Sequence, residues 1–329
     1  MNIYITLDYE LFFGARSGSV EKCIIEPTEE LLKIVNPYNI KFVCFVDAGY
    51  LWALEKYKDD FSQLQSDYDK VTHQLKKLHA EGHGIELHIH PHWEDTYYDG
   101  ENWVFNTERY KLADFSETEV LDIVTRYNGV LKRVSGATPV AYRAGGWSAQ
   151  PFAPIKKALE ANDIFIDSTV YPGGYYRSKN QSFDFRNIKD YTTEFTFSDD
   201  LTIQDSKGKF KEIAISAQRV SPFFFWEFAL KKMLKQNKHV SFGDGSAVAI
   251  DKKELVRLLT RPSHTVVSID GCKAKLLFKA LKKYVRKTKN KGNFVLIGHP
   301  KAFTPYSLKK LNKFIAATVK THKFVIYKG

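Results

Sequence analysis

A chain of 329 residues with 43% apolar and 26% charged side chains can bury a large core, which excludes intrinsic disorder, and it has no apolar run of membrane-spanning length. Its formal charge of +11 points to an anionic partner, yet no nucleic-acid recognition motif accompanies the charge, so nucleic acid is not expected. Three widely separated cysteines, Cys23, Cys44 and Cys272, make neither a disulfide framework nor a thiolate metal site. With a start that lacks a basic n-region and an apolar h-region, they lead us to expect a cytoplasmic protein, at most touching the inner face of the membrane.

Strand-like and helix-like segments alternate along the chain. A strand is predicted over 3–8, and a helix opens at Glu26-Pro27-Thr28-Glu29-Glu30, its acids at the positive end. Residues 41–46 read as a second strand with a helical run after it, and 71–80 as a helix stopped by Gly82. The third strand carries the densest signal. Ile85, Leu87 and Ile89 alternate with Glu86, His88 and His90, so one face is apolar and the other can bind, and Pro91 ends the ladder. Four of the ten histidines fall between His83 and His92. Neutral imidazole is a common metal ligand, so a metal site is the first reading, with zinc the leading ion. Alternation alone favours His90 as the ligand beside His88, while His83 reads as a turn residue.

Ser116-Glu117-Thr118-Glu119 is a capping box for a helix over 117–134. A fourth strand over 140–143 is followed by Gly145-Gly146-Trp147-Ser148, a helix to about Ala161 and a fifth strand over 164–167. The stretch around 175–245 is rich in Phe and Tyr and reads as an irregular insertion plus a late barrel element, with 211–216 readable as a strand. A helix over 252–259, a strand over 265–269, a strand over 294–298 and a last helix and strand complete the chain. Between Lys273 and Lys291 stand nine Lys or Arg and no acid, with apolar residues at helical spacing. This is a basic amphipathic helix, suited to solubility, to an anionic membrane surface or to a phosphorylated sugar carrier. The alternation predicts an α/β fold with a parallel sheet, open or closed as a barrel, in one domain.

Unusual side chains follow the proposed strands: Asp8 and Glu10, Asp47, His88 to His92, Arg143, Asp167, Asp270 and His299. In parallel α/β folds these strand ends converge on one face, where sites are built. The same residues carry a resemblance. Thr6-Leu7-Asp8-Tyr9-Glu10, His88-Ile89-His90-Pro91-His92, Tyr142-Arg143-Ala144-Gly145-Gly146-Trp147, Phe165-Ile166-Asp167-Ser168 and Leu296-Ile297-Gly298-His299-Pro300 resemble, in order, the five motifs of the polysaccharide deacetylases of carbohydrate esterase family four. That resemblance implies a distorted (β/α) barrel of about seven strands and metal-dependent removal of acyl groups from sugars.

The resemblance implies Asp8 as general base, Arg143 as the residue that holds it, His299 as general acid and Asp167 as the carboxylate orienting His299. It implies His88 and His92, four residues apart, as metal ligands, with His90 as a substrate residue. The family's second Asp is Tyr9 here, so Glu10, which shares Asp8's face of the strand, is the expected third ligand and Asp47 its reserve. Gly145 and Gly146 are expected to let backbone approach substrate, and Trp93, Trp147 and Tyr171 to stack on sugar. The ion would be divalent, zinc before cobalt, nickel or iron. The partner would be an N-acylated sugar or oligosaccharide, free or linked to a nucleotide or a lipid diphosphate, in surface polysaccharide biosynthesis. A non-catalytic glycan-binding barrel and a hydrolase of the same fold acting on a non-sugar amide are the alternatives.

Overall fold

The computed structural model describes residues 1–233, 236–249 and 251–328. In chain order its first half comprises β1 (Asn2–Tyr9), α1 (Glu26–Val35), β2 (Val43–Asp47), α2 (Ala48–Tyr57), α3 (Ser62–Ala80), β3 (Gly84–Ile89), α4 (Glu117–Ser135), β4 (Ala141–Ala144) and α5 (Ala153–Glu160). There follow β5 (Ile166–Asp167), β6 (Glu194–Phe197), β7 (Phe210–Ile213), β8 (Ala217–Val220), α6 (Pro222–Met233), α7 (Lys252–Thr260) and β9 (Ser263–Val266). The chain ends with α8 (Leu277–Lys287), β10 (Asn293–Gly298), α9 (Pro305–Thr318) and β11 (Lys323–Phe324), and short hairpins lie at 97–104 and 175–184.

The main sheet runs in the order β6-β7-β5-β4-β3-β2-β1-β10. Every pair is parallel except β6 with β7, so the strands from β5 across to β10 all end at one mouth. Helices cover the outside, and β2 and β3 are buried along their whole length. That explains the near-continuous apolar character of β2, whereas β3 alternates and buries its polar Glu86 and His88 as well.

Ser216 makes the sheet nearly close into a barrel. Beyond β7, its N–H donates to Val295 O at 3.1 Å, its carbonyl accepts from Val267 N at 2.7 Å, and its hydroxyl accepts from Val295 N at 2.9 Å. The 267–269 stretch then lies parallel to β10, with Ile269 N donating to Ile297 O at 2.9 Å. The C-terminal tail runs beside the lower half of β1, where β11 pairs with Asn2 and Ile3. From there Tyr327 enters the interior, stacks on Tyr4 at 4.9 Å and donates to Ser168 Oγ at 2.9 Å.

The capping box of α4 forms as expected, and Gly136 ends that helix at φ 77°. The main departure lies in the stretch around 175–245. It contains α6, whose run of Phe and Trp masks helical spacing behind strand-like composition. The basic segment forms α8 with Leu277, Ala280, Leu281 and Tyr284 buried and Phe278 46% exposed, so most of its apolar stripe packs against the barrel wall. Among the described residues no helix is long and apolar enough to cross a membrane.

Candidate metal centre and proton-transfer pair

Strand β1 sets the first part of the site. Alternation along it points Asp8 and the following Glu10 toward the mouth and turns Tyr9 the other way, where its hydroxyl donates to Gln74 Oε1 at 2.8 Å. The residue that departs from the family motif therefore does not face the site. Glu10 faces the mouth instead: Oε2 lies 3.2 Å from His88 Nε2 and 2.8 Å from His90 Nε2, while Oε1 lies 2.9 Å from Lys301 Nζ. Lys301 also donates to Leu11 O. Burial opposes ionisation of Glu10, but Lys301 and His90 hold its carboxyl well below the usual carboxylate range.

Glu10, His88 and His90 form a group whose ligating atoms all lie within 4.8 Å of one another, and all three residues are buried. His88 Nδ1 lies 2.8 Å from Arg143 O, which fixes that nitrogen as a donor and leaves Nε2 as the atom that meets Glu10 and could ligate an ion. This set fits a divalent cation. One carboxylate oxygen and two imidazole nitrogens share one small volume, and neither ring nitrogen of His90, including the Nε2 that faces Glu10, makes a hydrogen bond among the described residues.

The pairing of His88 with His92, taken from motif spacing, gives way to the pairing that strand alternation favours. His92 falls after the strand ends, in a short turn over Pro91–Asp95, and packs in an aromatic pocket against Phe13 and Phe105. Neither of its nitrogens has a hydrogen-bond partner among the described residues, and burial pushes its pKa well down, keeping it neutral. Asp47, the reserve ligand, instead accepts from Trp93 Nε1 at 2.7 Å. Trp93 is thereby held between Tyr50 and Trp103 and is only 2% exposed, so it has no face to offer a sugar. Trp147 and Tyr171 meet edge to face at 5.5 Å and together line a cavity of about 360 Å³.

Beside the Glu10–His88–His90 group stand two charged partnerships. Arg143 is fully buried; Nη1 donates to Asp8 Oδ1 at 2.6 Å, Nε to Ser168 O at 2.8 Å and Nη2 to Thr6 Oγ1 at 3.0 Å. Burial opposes the Asp8 charge, but this guanidinium and His299 overcome it and hold the carboxyl well below the usual range. His299 Nε2 lies 3.5 Å from Asp8 Oδ2. Its other nitrogen lies 2.8 Å from Asp270 Oδ2, and Asp270 Oδ1 accepts from the His299 backbone N–H at 2.8 Å. Against the cost of burial, Asp270 first and then Asp8 push the imidazole up to about 10, so it is protonated at neutral pH.

The carboxylate that orients His299 is therefore Asp270, not Asp167. The 267–269 stretch is the lateral neighbour of β10, which brings its end against His299, whereas β5 pairs with β4 and β7 and does not adjoin β10. Asp167 accepts from Thr169 N at 2.8 Å and Thr169 Oγ1 at 3.2 Å, bracing the turn whose Ser168 carbonyl holds Arg143. It sits opposite Glu212 in the sheet, and burial followed by the Asp167 charge pushes Glu212 well above the usual carboxylate range.

Gly145 and Gly146 also serve the protein itself. A Cβ on Gly145 would come within 2.6 Å of His90 Nδ1, so its absence makes room for that ring, and Gly146 holds φ 56°. Lys301 and the role of Asp270 are the residues that sequence reasoning missed. Asp270 had a signal, as an acid following a strand; Lys301 had none beyond its place two residues after His299.

No protein-family model matches the chain, and comparison with curated proteins gives no match. In structure it is similar to several polysaccharide deacetylases. One, from Bacillus cereus, is 12% identical over 99% of this chain and 92% of that one, with a TM-score of 0.41. The catalytic domain of a peptidoglycan N-acetylglucosamine deacetylase from Eubacterium rectale is 11% identical, covering 99% and 88% with a TM-score of 0.40. An allantoinase is 11% identical, covering 99% and 86% with a TM-score of 0.49.

Proposed function

We propose that the chain is a metal-dependent hydrolase that removes an N-acetyl or other N-acyl group from an amino sugar. The observation that carries the reading is the placement of Asp8, held ionised by Arg143, and His299, held protonated by Asp270, beside the buried Glu10–His88–His90 group. A carboxylate and an imidazolium kept in opposite protonation states are a base and an acid ready for use at neutral pH. The motif resemblance supports the same assignment.

On this reading Glu10, His88 and His90 would hold the divalent ion, with zinc suited to one carboxylate and two imidazoles. When bound, the ion supplies a Lewis acid for the acyl carbonyl and lowers the pKa of water. Asp8 takes the proton of the attacking water, and Arg143 keeps that carboxylate oriented and charged. His299 gives its Nε2 proton to the departing amine, which an amide needs before its C–N bond breaks at neutral pH. Asp270 carries no proton in this scheme; it keeps His299 charged and aimed. Trp147 and Tyr171, in the cavity that they line, are the aromatic residues assigned to the sugar ring. The formal charge of +11 suits a sugar carried on a nucleotide or lipid diphosphate, as in surface polysaccharide biosynthesis.

The test is a substrate panel with zinc-loaded protein, scoring acetate or amine release from N-acetyl amino sugars and chitooligosaccharides against cyclic ureides and formylated amines. Turnover confined to the sugars is the expected result. Turnover confined to the ureides would move the chemistry to a non-sugar amide, and sugar binding without turnover would make the barrel a binder.

A further inference from the structure

Helix α6 is inside out relative to an ordinary surface helix. Phe224 is buried in a small cluster with Val220 and Leu276, while Phe223, Trp226 and Leu230, spaced i, i+3 and i+7 on another face, are 82%, 56% and 55% exposed. Trp226 Nε1 donates to Leu259 O at 3.0 Å, tying α6 to the end of α7, which exposes Leu255 and Val256. Such a contiguous apolar face on charged surroundings marks a contact site. Among the described residues from Pro222 to Arg261, the exposed charges are Lys238, Lys252, Lys253 and Arg261 against Asp244 and Asp251.

We propose that the α6–α7 pair is a membrane-docking surface, resting on an anionic lipid bilayer with Phe223, Trp226 and Leu230 in the interfacial layer. Two observations favour lipid over a second copy of the chain. The surface is net positive, so two copies face to face would repel, whereas anionic headgroups complement it. The apolar face amounts to a handful of side chains, while a stable protein interface takes roughly 20–30 residues a side. An amphipathic helix that sets Trp and Phe on one face with Lys nearby has the composition of an interfacial helix. This relocates membrane contact from α8, where Leu277, Ala280, Leu281 and Tyr284 are buried and only Phe278 of the apolar residues is exposed. A cavity of about 540 Å³ runs under α6 from Phe228 and Val240 to Phe12 and Asp270, so material held at the bilayer would lie beside His299. The docking surface itself does not depend on the deacetylase reading.

The experiment is flotation of the full chain with phosphatidylcholine vesicles, with and without one third phosphatidylglycerol, beside Phe223→Ser/Trp226→Ser and Lys252→Glu/Lys253→Glu. Wild type should float with the anionic vesicles, the aromatic double variant at least tenfold less, and the charge variant should lose its preference for phosphatidylglycerol. Hydrolysis of a small soluble N-acetyl substrate by the aromatic double variant should be unchanged. Brominated lipid should quench wild-type fluorescence more than that of Trp226→Phe, a readout that needs no weakened variant. Failure of the wild type to float, or flotation indifferent to both aromatic substitutions, overturns the proposal. So does a wild-type dimer in ultracentrifugation that the aromatic double variant dissolves, which gives the surface to a second copy.

Discussion

The partnership of Asp270 with His299 makes a quantitative prediction. The imidazole is raised from its usual 6.5 to about 10, a stabilisation of the charged form of roughly 5 kcal/mol, and Asp270 is the largest favourable cause. In Asp270→Asn the side-chain carbonyl still accepts from the His299 backbone N–H. The amide NH₂, placed where Oδ2 lay 2.8 Å from Nδ1, would donate to the ring and so favour the neutral form. The ring keeps its place and loses its charge. An acid catalyst fails as pH rises through its pKa, so the alkaline limb of kcat/KM should move down from its wild-type position by roughly 1–3 pH units. Imidazole titration by NMR on the metal-free protein should show the same displacement. The sign is that of a base with a raised folded pKa: the pair's stabilisation is full below 6.5 and is lost as pH rises to about 10. An alkaline limb that stays in place, with the NMR titration also unmoved, would refute the assignment of Asp270.

Arg143→Met should cost about 3–5 kcal/mol in urea unfolding, because it strands the buried Asp8 carboxylate without its countercharge; a loss under about 1 kcal/mol would show that the pair is not buried in solution. Glu86 accepts from Val140 N and Ala141 N at 2.7 and 2.8 Å, yet burial pushes it up to about 8 from the usual 4.5. The native state must therefore hold it protonated while the unfolded chain releases the proton, a stabilisation present below pH 4.5 and lost on the way to pH 8. Glu86→Gln should gain up to about 3 kcal/mol at pH 7 and nothing at pH 4.5; a pH-independent difference would contradict this. For the ion, calorimetric titration with zinc should show His90→Ala weaker by at least about 100-fold, beyond the effect of an outer-sphere partner, and His92→Phe nearly unchanged. The opposite ranking would restore the motif's own pair.

Much of this was legible in the sequence. The alternation of strands and helices gives the parallel sheet, and once strand ends converge, Asp8, Glu10, His88, Arg143, Asp270 and His299 fall at one mouth without any long-range information. The choice between His90 and His92 shows where local physics outweighs a borrowed spacing. Side chains two apart on a strand share a face, and the strand ends at Ile89, so His92 leaves on a turn. Assigning Asp167 to His299 failed for a topological reason: which strand neighbours β10 depends on barrel closure at Ser216, and no local pattern encodes it. Trp93 is placed by Asp47, and Gly145 by the ring of His90; both are contacts across strands that composition cannot reveal. Lys301 reaches Glu10 across 291 residues, and a lysine after a histidine carries no signal of its own. Helix α6 was obscured because its aromatic residues face outward as well as inward, which removes the periodicity that a one-sided helix shows.

The central claim is that residues from opposite ends of the chain make one hydrolytic site, with Asp8 as its base. Acetate release from N-acetylated chitooligosaccharides by zinc-loaded wild type and Asp8→Asn puts that claim to the most direct test. A fall of roughly 100- to 10,000-fold in kcat, with zinc content and folding preserved, is the outcome expected. Equal release by the two proteins would contradict it.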